Sequence, residues 1–153
     1  MESWSIVCKE VDINHARHLL PLCLYMPTTE KTEALLSKYL DDSDKTLYLY
    51  KAGKNGVPVG VIGFHNQGNG ISEILHIAVD TDYRGHGIGR TMISEAVNQL
   101  GYISLVAQTD KDAIDFYRSC GFHIRSLGML NSETQRFLCT WKINVLQEGE
   151  REL

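Results

Sequence analysis

At 153 residues, 43% hydrophobic and 22% charged, the chain suits one domain with a single core and excludes a wholly disordered or low-complexity protein. A formal net charge of -4 with no block of Lys and Arg speaks against nucleic-acid binding, and no apolar run is long enough to span a membrane. Cys8, Cys23, Cys120 and Cys139 form no C-x-x-C pair and are expected as free thiols; together with the lack of a basic, apolar leader in Met1-Glu-Ser-Trp-Ser5 this suggests a cytoplasmic protein.

Loose alternation predicts a first strand over 4–11, after which Asp12 or Asn14 caps a short helix over 15–20, with Pro21 just past it. A loop over 25–29 follows, and Thr28 or Thr29 caps a second helix whose apolar face is Ala34, Leu35, Leu36, Tyr39 and Leu40. Strands over 46–51 and 57–65 flank a turn signalled by Asn55-Gly56, and a second turn over 67–70 leads to a buried, β-branched strand over 74–79. The next helix, over 87–100, has Ile88, Met92, Ile93, Ala96, Val97 and Leu100 at helical spacing and Gly101 as its stop. A strand over 102–107, a helix opened by Thr109 or Asp110 and running to about Cys120, and a hairpin of 122–129 with 135–144 complete a single domain over 1–146. Residues 147–153 have no apolar face and are expected to fray.

Between the strand and the helix at the middle of the chain lie Gly85, Gly87 and Gly89, where the backbone can approach a ligand and the first helical amides point toward negative charge. Arg90 occupies the place of the last glycine in a dinucleotide fingerprint, and no Gly-Lys-Ser/Thr of a Walker loop is present. Arg84-Gly85-His86-Gly87-Ile88-Gly89 instead spells R-x-x-G-x-G, which resembles the coenzyme A pyrophosphate signature of the GNAT superfamily of N-acyltransferases. A second stretch, Asp110-Lys-Asp-Ala-Ile-Asp-Phe-Tyr117-Arg-Ser-Cys-Gly121-Phe122, is similar to another hallmark of that family. Asp110 stands where the family usually has Asn; a carboxylate caps a helix equally well but has no hydrogen to donate to pantetheine. The resemblance implies an α/β (α+β) fold, a mixed, mostly antiparallel sheet flanked by helices, and an acetyl-CoA-dependent N-acetyltransferase acting by direct attack of an amine, with no metal.

It also implies a set of site residues. Ile77-Ala78-Val79 would run beside the pantetheine arm, with main-chain groups of Ile77 and Val79 meeting its amides. The amides of Gly85, His86, Gly87, Ile88, Gly89 and Arg90 would hold the pyrophosphate, so a bulky residue at Gly87 or Gly89 should block it without unfolding the domain. Arg84 either braces the loop or meets a phosphate, and Asp110 flanks the arm. An alkyl amine, with a pKa of about 10.4, needs a base near neutral pH. Glu73 matches a family base position; His76 needs no tuning but faces away from Glu73 on strict alternation unless a bulge intervenes, and His65 is a third possibility. Each also has a plain reading, a solvated carboxylate or a hydrogen-bonded structural histidine, and many members of the family use ordered water instead. Tyr117 matches the family tyrosine near the coenzyme sulfur, where a phenol of pKa about 10 can serve a departing thiol of pKa about 8.5; otherwise it is a core aromatic. The acceptor would be framed by 24–31 and 128–133, with Tyr25, Met26 and Leu130 as an apolar wall and Glu30 or Glu133 attracting the amine. A homodimer through the last strand is a further expectation, and an acyl-CoA-binding domain without turnover, transfer of another acyl group or to a protein amine, and a plain interaction domain are the competing functions.

Overall fold

The computed structural model describes residues 4–7, 9–52, 56–130 and 134–143. Its elements run β1 (Trp4–Ile6), α1 (Glu10–Leu19), a 3-10 turn (Leu20–Cys23), α2 (Thr29–Asp41), β2 (Lys45–Ala52), β3 (Val57–Gly68), β4 (Ile71–Val79), a 3-10 turn (Thr81–Tyr83), α3 (Ile88–Leu100), β5 (Ser104–Thr109), α4 (Ile114–Ser119), β6 (His123–Met129) and β7 (Gln135–Lys142). The seven strands form one sheet in the order β1-β2-β3-β4-β5-β7-β6, antiparallel except for β4 beside β5. No helix among the described residues is long and apolar enough to cross a membrane.

Two apolar clusters cover the two faces. Val59, Ile62 and Phe64 of β3 pack with Met92, Ile93 and Ala96 of α3 on one side, while Val61 joins Ala16 and Leu19 of α1 and Leu36 and Tyr39 of α2 on the other. A strand covered on both faces reads as a continuous apolar run, which is why 58–64 of β3 is buried without a break.

Several boundaries depart from the sequence reading. β1 stops at Ile6 and α1 starts at Glu10, with Lys9 as N-cap and no side-chain cap. Asp12 lies buried in the first turn, where the helix dipole favours it, and Asn14 accepts from Arg17 at 2.7 Å, so neither caps. Thr28 does cap α2, accepting from the Lys31 amide at 3.1 Å. β5 lies two residues later than expected because Ile103 instead gives its amide to the Gly70 carbonyl. Asp110 closes a turn on the Asp112 amide at 3.0 Å, and α4 begins only at Ile114. The last strand, β7, is bordered by β5 and β6, so a dimer through its edge is not available; the outer strands are β1 and β6. Cys8, the turn residues 53–55, the hairpin residues 131–133 and the tail 147–153 lie outside the described residues.

Two irregularities in β4 create the site. Gly63 pairs with His76 and Phe64 with Ile74, leaving Leu75 as a bulged residue with no partner of its own on β3. On its other side β4 pairs with β5 only from Ile71 to Glu73, after which the two parallel strands part.

Candidate functional site

The parting of β4 from β5 opens a cavity of about 1020 Å³, with Ile77, Ala78 and Val79 on one wall and Thr109, Phe116 and Tyr117 on the other. Its rim includes Arg84, Gly85, Gly87, Ile88, Gly89 and Arg90. The Asp80 amide bonds to the Val59 carbonyl at 2.8 Å, and the period of two along a strand then turns the main-chain groups of Val79 and Ile77 away from β3, into the gap. Arg84 Nε donates to the Val79 carbonyl at 3.3 Å, so Arg84 braces the loop against the strand. The Ile77 amide meets the Cys23 thiol, whose pKa burial pushes up to about 12.

Gly87, at φ 75°, is the N-cap of α3 and makes no side-chain cap, so the leading amides of α3 face the cleft without an intrahelical acceptor. A Cβ on Gly85 or Gly87 would meet nothing within 4 Å, whereas one on Gly89 would lie 2.9 Å from the Phe116 ring. Gly89 therefore also serves the close packing of α3 on Phe116, and enlarging it would load that contact, a cost the sequence expectation for Gly89 did not include. His86 and Asp110 are not among the residues lining the cavity.

Tyr117 closes the cleft floor, edge-on to Phe116 and Phe122 at ring separations of 5.2 and 5.3 Å. Burial, with the sulfurs of Cys139, Cys120 and Cys23 adding to it, raises its pKa well above the ordinary phenol range. The hydroxyl thus keeps its proton as a hydrogen-bond donor and is a poorer acid than its ordinary pKa suggests.

The bulge at Leu75 resets the alternation of β4 and brings Glu73 and His76 to the α1/α2 face together. Their surroundings differ. Glu73 sits between His65 of β3 and Val106 of β5 and lines neither this cavity nor its neighbour. His65 lines neither as well. His76 lines both, and its Nδ1 is 2.6 Å from the Tyr39 hydroxyl. Burial, then the charges of Lys45 and Lys38, lower the His76 pKa below 6.5, so the ring is neutral at pH 7. Tyr39 can stand over the sheet there because Gly63 has no side chain; a Cβ at that position would land on the Tyr39 hydroxyl.

A second cavity of about 490 Å³ adjoins the first across Leu75 and His76. Leu24 and Leu35 give it an apolar side, and Lys31, Lys38 and Lys45 a cationic one. Of the acceptor frame expected from sequence, Leu24 and Lys31 belong to it, while Tyr25, Met26 and Glu30 do not. Leu130 is exposed and also outside it, and Glu133 lies outside the described residues.

The family model for the acetyltransferase (GNAT) family matches residues 13–122, which holds both β4 irregularities, the glycine turn and Tyr117. The chain belongs to this family. Among curated protein sequences none matches this GNAT acyltransferase. Its fold is shared by the ribosomal-protein-S18-alanine N-acetyltransferase from Escherichia coli, at 22% identity and TM-score 0.66, covering 92% of this chain and 94% of that one. An acetyltransferase from Bacillus subtilis in complex with CoA is 16% identical with TM-score 0.67, covering 93% and 99%. A spermidine N-acetyltransferase variant from Vibrio cholerae is 14% identical with TM-score 0.65, covering 93% and 95%. In this GNAT chain the residues that the sequence reading missed are Cys23, Tyr39 and Lys38. Tyr39 had a visible signal as part of the α2 apolar face, but nothing local marks its hydroxyl as the partner of His76.

Proposed function

We propose that this GNAT protein is an N-acetyltransferase that moves an acetyl group from acetyl-CoA to a primary amine by direct attack. The observation that carries the reading is the gap between β4 and β5, which begins at the β4 bulge and is rimmed by the Gly85–Arg90 turn. The pyrophosphate sits on the amides from Gly85 to Arg90, as suits the start of α3. The pantetheine arm follows β4 inward, meeting main-chain groups of Ile77 and Val79. That the Bacillus subtilis protein of this fold holds CoA supports the choice of carrier.

His76 takes the proton. The base is the tautomer in which Nδ1–H donates to the Tyr39 oxygen, 2.6 Å away, which leaves the lone pair on Nε2 of a residue that lines both cavities; the lowered pKa favours keeping that lone pair free near neutral pH. The amine nitrogen forms its bond to the thioester carbon as its proton passes to His76, and the carbon–sulfur bond breaks. The Tyr117 hydroxyl donates a hydrogen bond to the leaving thiolate, which takes its proton afterwards from solvent; the raised Tyr117 pKa favours this over outright proton transfer. Glu73 and His65, the other bases nominated by the sequence, line neither of the two cavities, which favours His76 over both.

Calorimetric titration with acetyl-CoA, followed by measurement of free CoA thiol with a panel of amines, tests the proposal. Saturable binding and amine-dependent thiol release are expected. Saturable binding without release from any amine would make this an acyl-CoA-binding domain, and no saturable binding would remove the site altogether.

A further inference from the structure

Resting on the acetyl-transfer reading, we infer that the second cavity selects acceptors that carry a carboxylate beside the reacting amine, namely small amino acids with an apolar side chain. Three lysines from two elements converge on it, Lys31 and Lys38 from α2 and Lys45 from β2, and no Asp or Glu is among its lining. Their states differ. Lys31 Nζ is held by the carbonyls of Tyr25 and Met26 at 3.2 and 3.0 Å, and Lys45 is 3.8 Å from an Asp42 carboxylate oxygen. The Lys38 ammonium has no hydrogen bond or ion pair among the described residues, while its backbone carbonyl accepts from the Asp42 amide, and so Lys38 Nζ is the cation with charge to offer a ligand.

The cavity volume of about 490 Å³ has room for an amino acid, and Leu24, Leu35 and Leu75 provide surface for an apolar side chain. Orientation follows from charge: the carboxylate goes to Lys38, and the amine goes to the end shared with the thioester cleft, at neutral His76. The lysines also favour the neutral form of an incoming amine, which is the form that reacts. A polyamine would bring several positive charges to a wall of the same sign and is disfavoured.

The test is thiol release from acetyl-CoA with leucine and with phenylalanine, each against its own amide, which keeps the side chain and removes the negative charge, and with spermidine. With kcat/KM referred to the neutral amine, since the amide also lowers the pKa of the amine beside it, the amino acids should exceed their amides by about tenfold, the size of one hydrogen-bonded charge contact. Lys38→Gln, a change at an exposed position, should collapse that ratio toward one. Amides or spermidine turned over as well as the amino acids, or a ratio untouched by Lys38→Gln, would overturn the inference and leave acetyl transfer standing. Release from none of these amines, where another amine of the panel is acetylated, would overturn this inference alone; release from no amine of the panel would overturn acetyl transfer and this inference with it.

Discussion

Gly87→Ala and Gly89→Ala separate two roles that one glycine-rich turn performs. At Gly87 the backbone is left-handed, φ 75°, and an added methyl meets nothing within 4 Å. The strain of an L residue there costs about 1–2 kcal/mol, offset by about 0.4–1 kcal/mol from the loss of glycine freedom in the unfolded chain. A net loss near 1 kcal/mol lowers Tm by about 2–4 °C in a domain of this size. The methyl, however, stands in the cradle where phosphate oxygens must come within hydrogen-bond distance of the first amides of α3. Losing two contacts to a charged oxygen, at about 1.5–3 kcal/mol each, weakens acetyl-CoA binding by a hundredfold or more. At Gly89 the order reverses: the methyl lies 2.9 Å from the Phe116 ring, so overpacking of about 1–3 kcal/mol falls on the α3–α4 contact, and affinity drops only as far as the helix start is displaced. Urea denaturation supplies the stabilities and calorimetric titration with acetyl-CoA the affinities. Wild-type affinity in Gly87→Ala would refute the cradle.

Other consequences are as direct. Tyr117→Phe removes a donor to the departing sulfur, so kcat should fall by about 10–100-fold while the KM for acetyl-CoA stays within about twofold; equal changes in both would mean that the hydroxyl binds the carrier instead. His76→Gln should lower kcat/KM by about 10²–10⁴-fold and abolish the acid limb of its pH profile. In the unaltered protein that limb should lie below pH 6.5, because burial and the charges of Lys45 and Lys38 favour the neutral ring; Lys38→Gln takes away one of those charges and should move the limb upward, and a downward shift would show that another group titrates. Gly63→Ala should force Tyr39 off His76 and cost about 1–3 kcal/mol from overpacking beneath a nearly fully buried ring, read by urea denaturation alongside a loss of turnover.

What the sequence made legible was local. Thr28 caps α2, and Gly101 ends α3 in the left-handed conformation its position suggests, because both depend on a few neighbouring residues. The R-x-x-G-x-G run was visible for the same reason, yet it concealed that Gly85 and Gly87 bend the chain while Gly89 lets Phe116 close in, a distinction made by α4 some 25 residues later. Parity along β4 separated Glu73 from His76 on paper. The bulge that reunites them lies opposite Gly63 and under Tyr39, and so depends on three elements at once. The lysines make the same point more sharply. Lys31, Leu35 and Lys38 recur at 31, 35 and 38, a single stripe of α2, and a charged helical stripe is ordinarily a solvated face. What turns this stripe into the wall of a cavity is the bulged Leu75, which sets His76 against Tyr39 with Lys45 of β2 close by. A residue's charge is fixed by its type, but whether that charge meets water or a substrate is decided by the strand register opposite it.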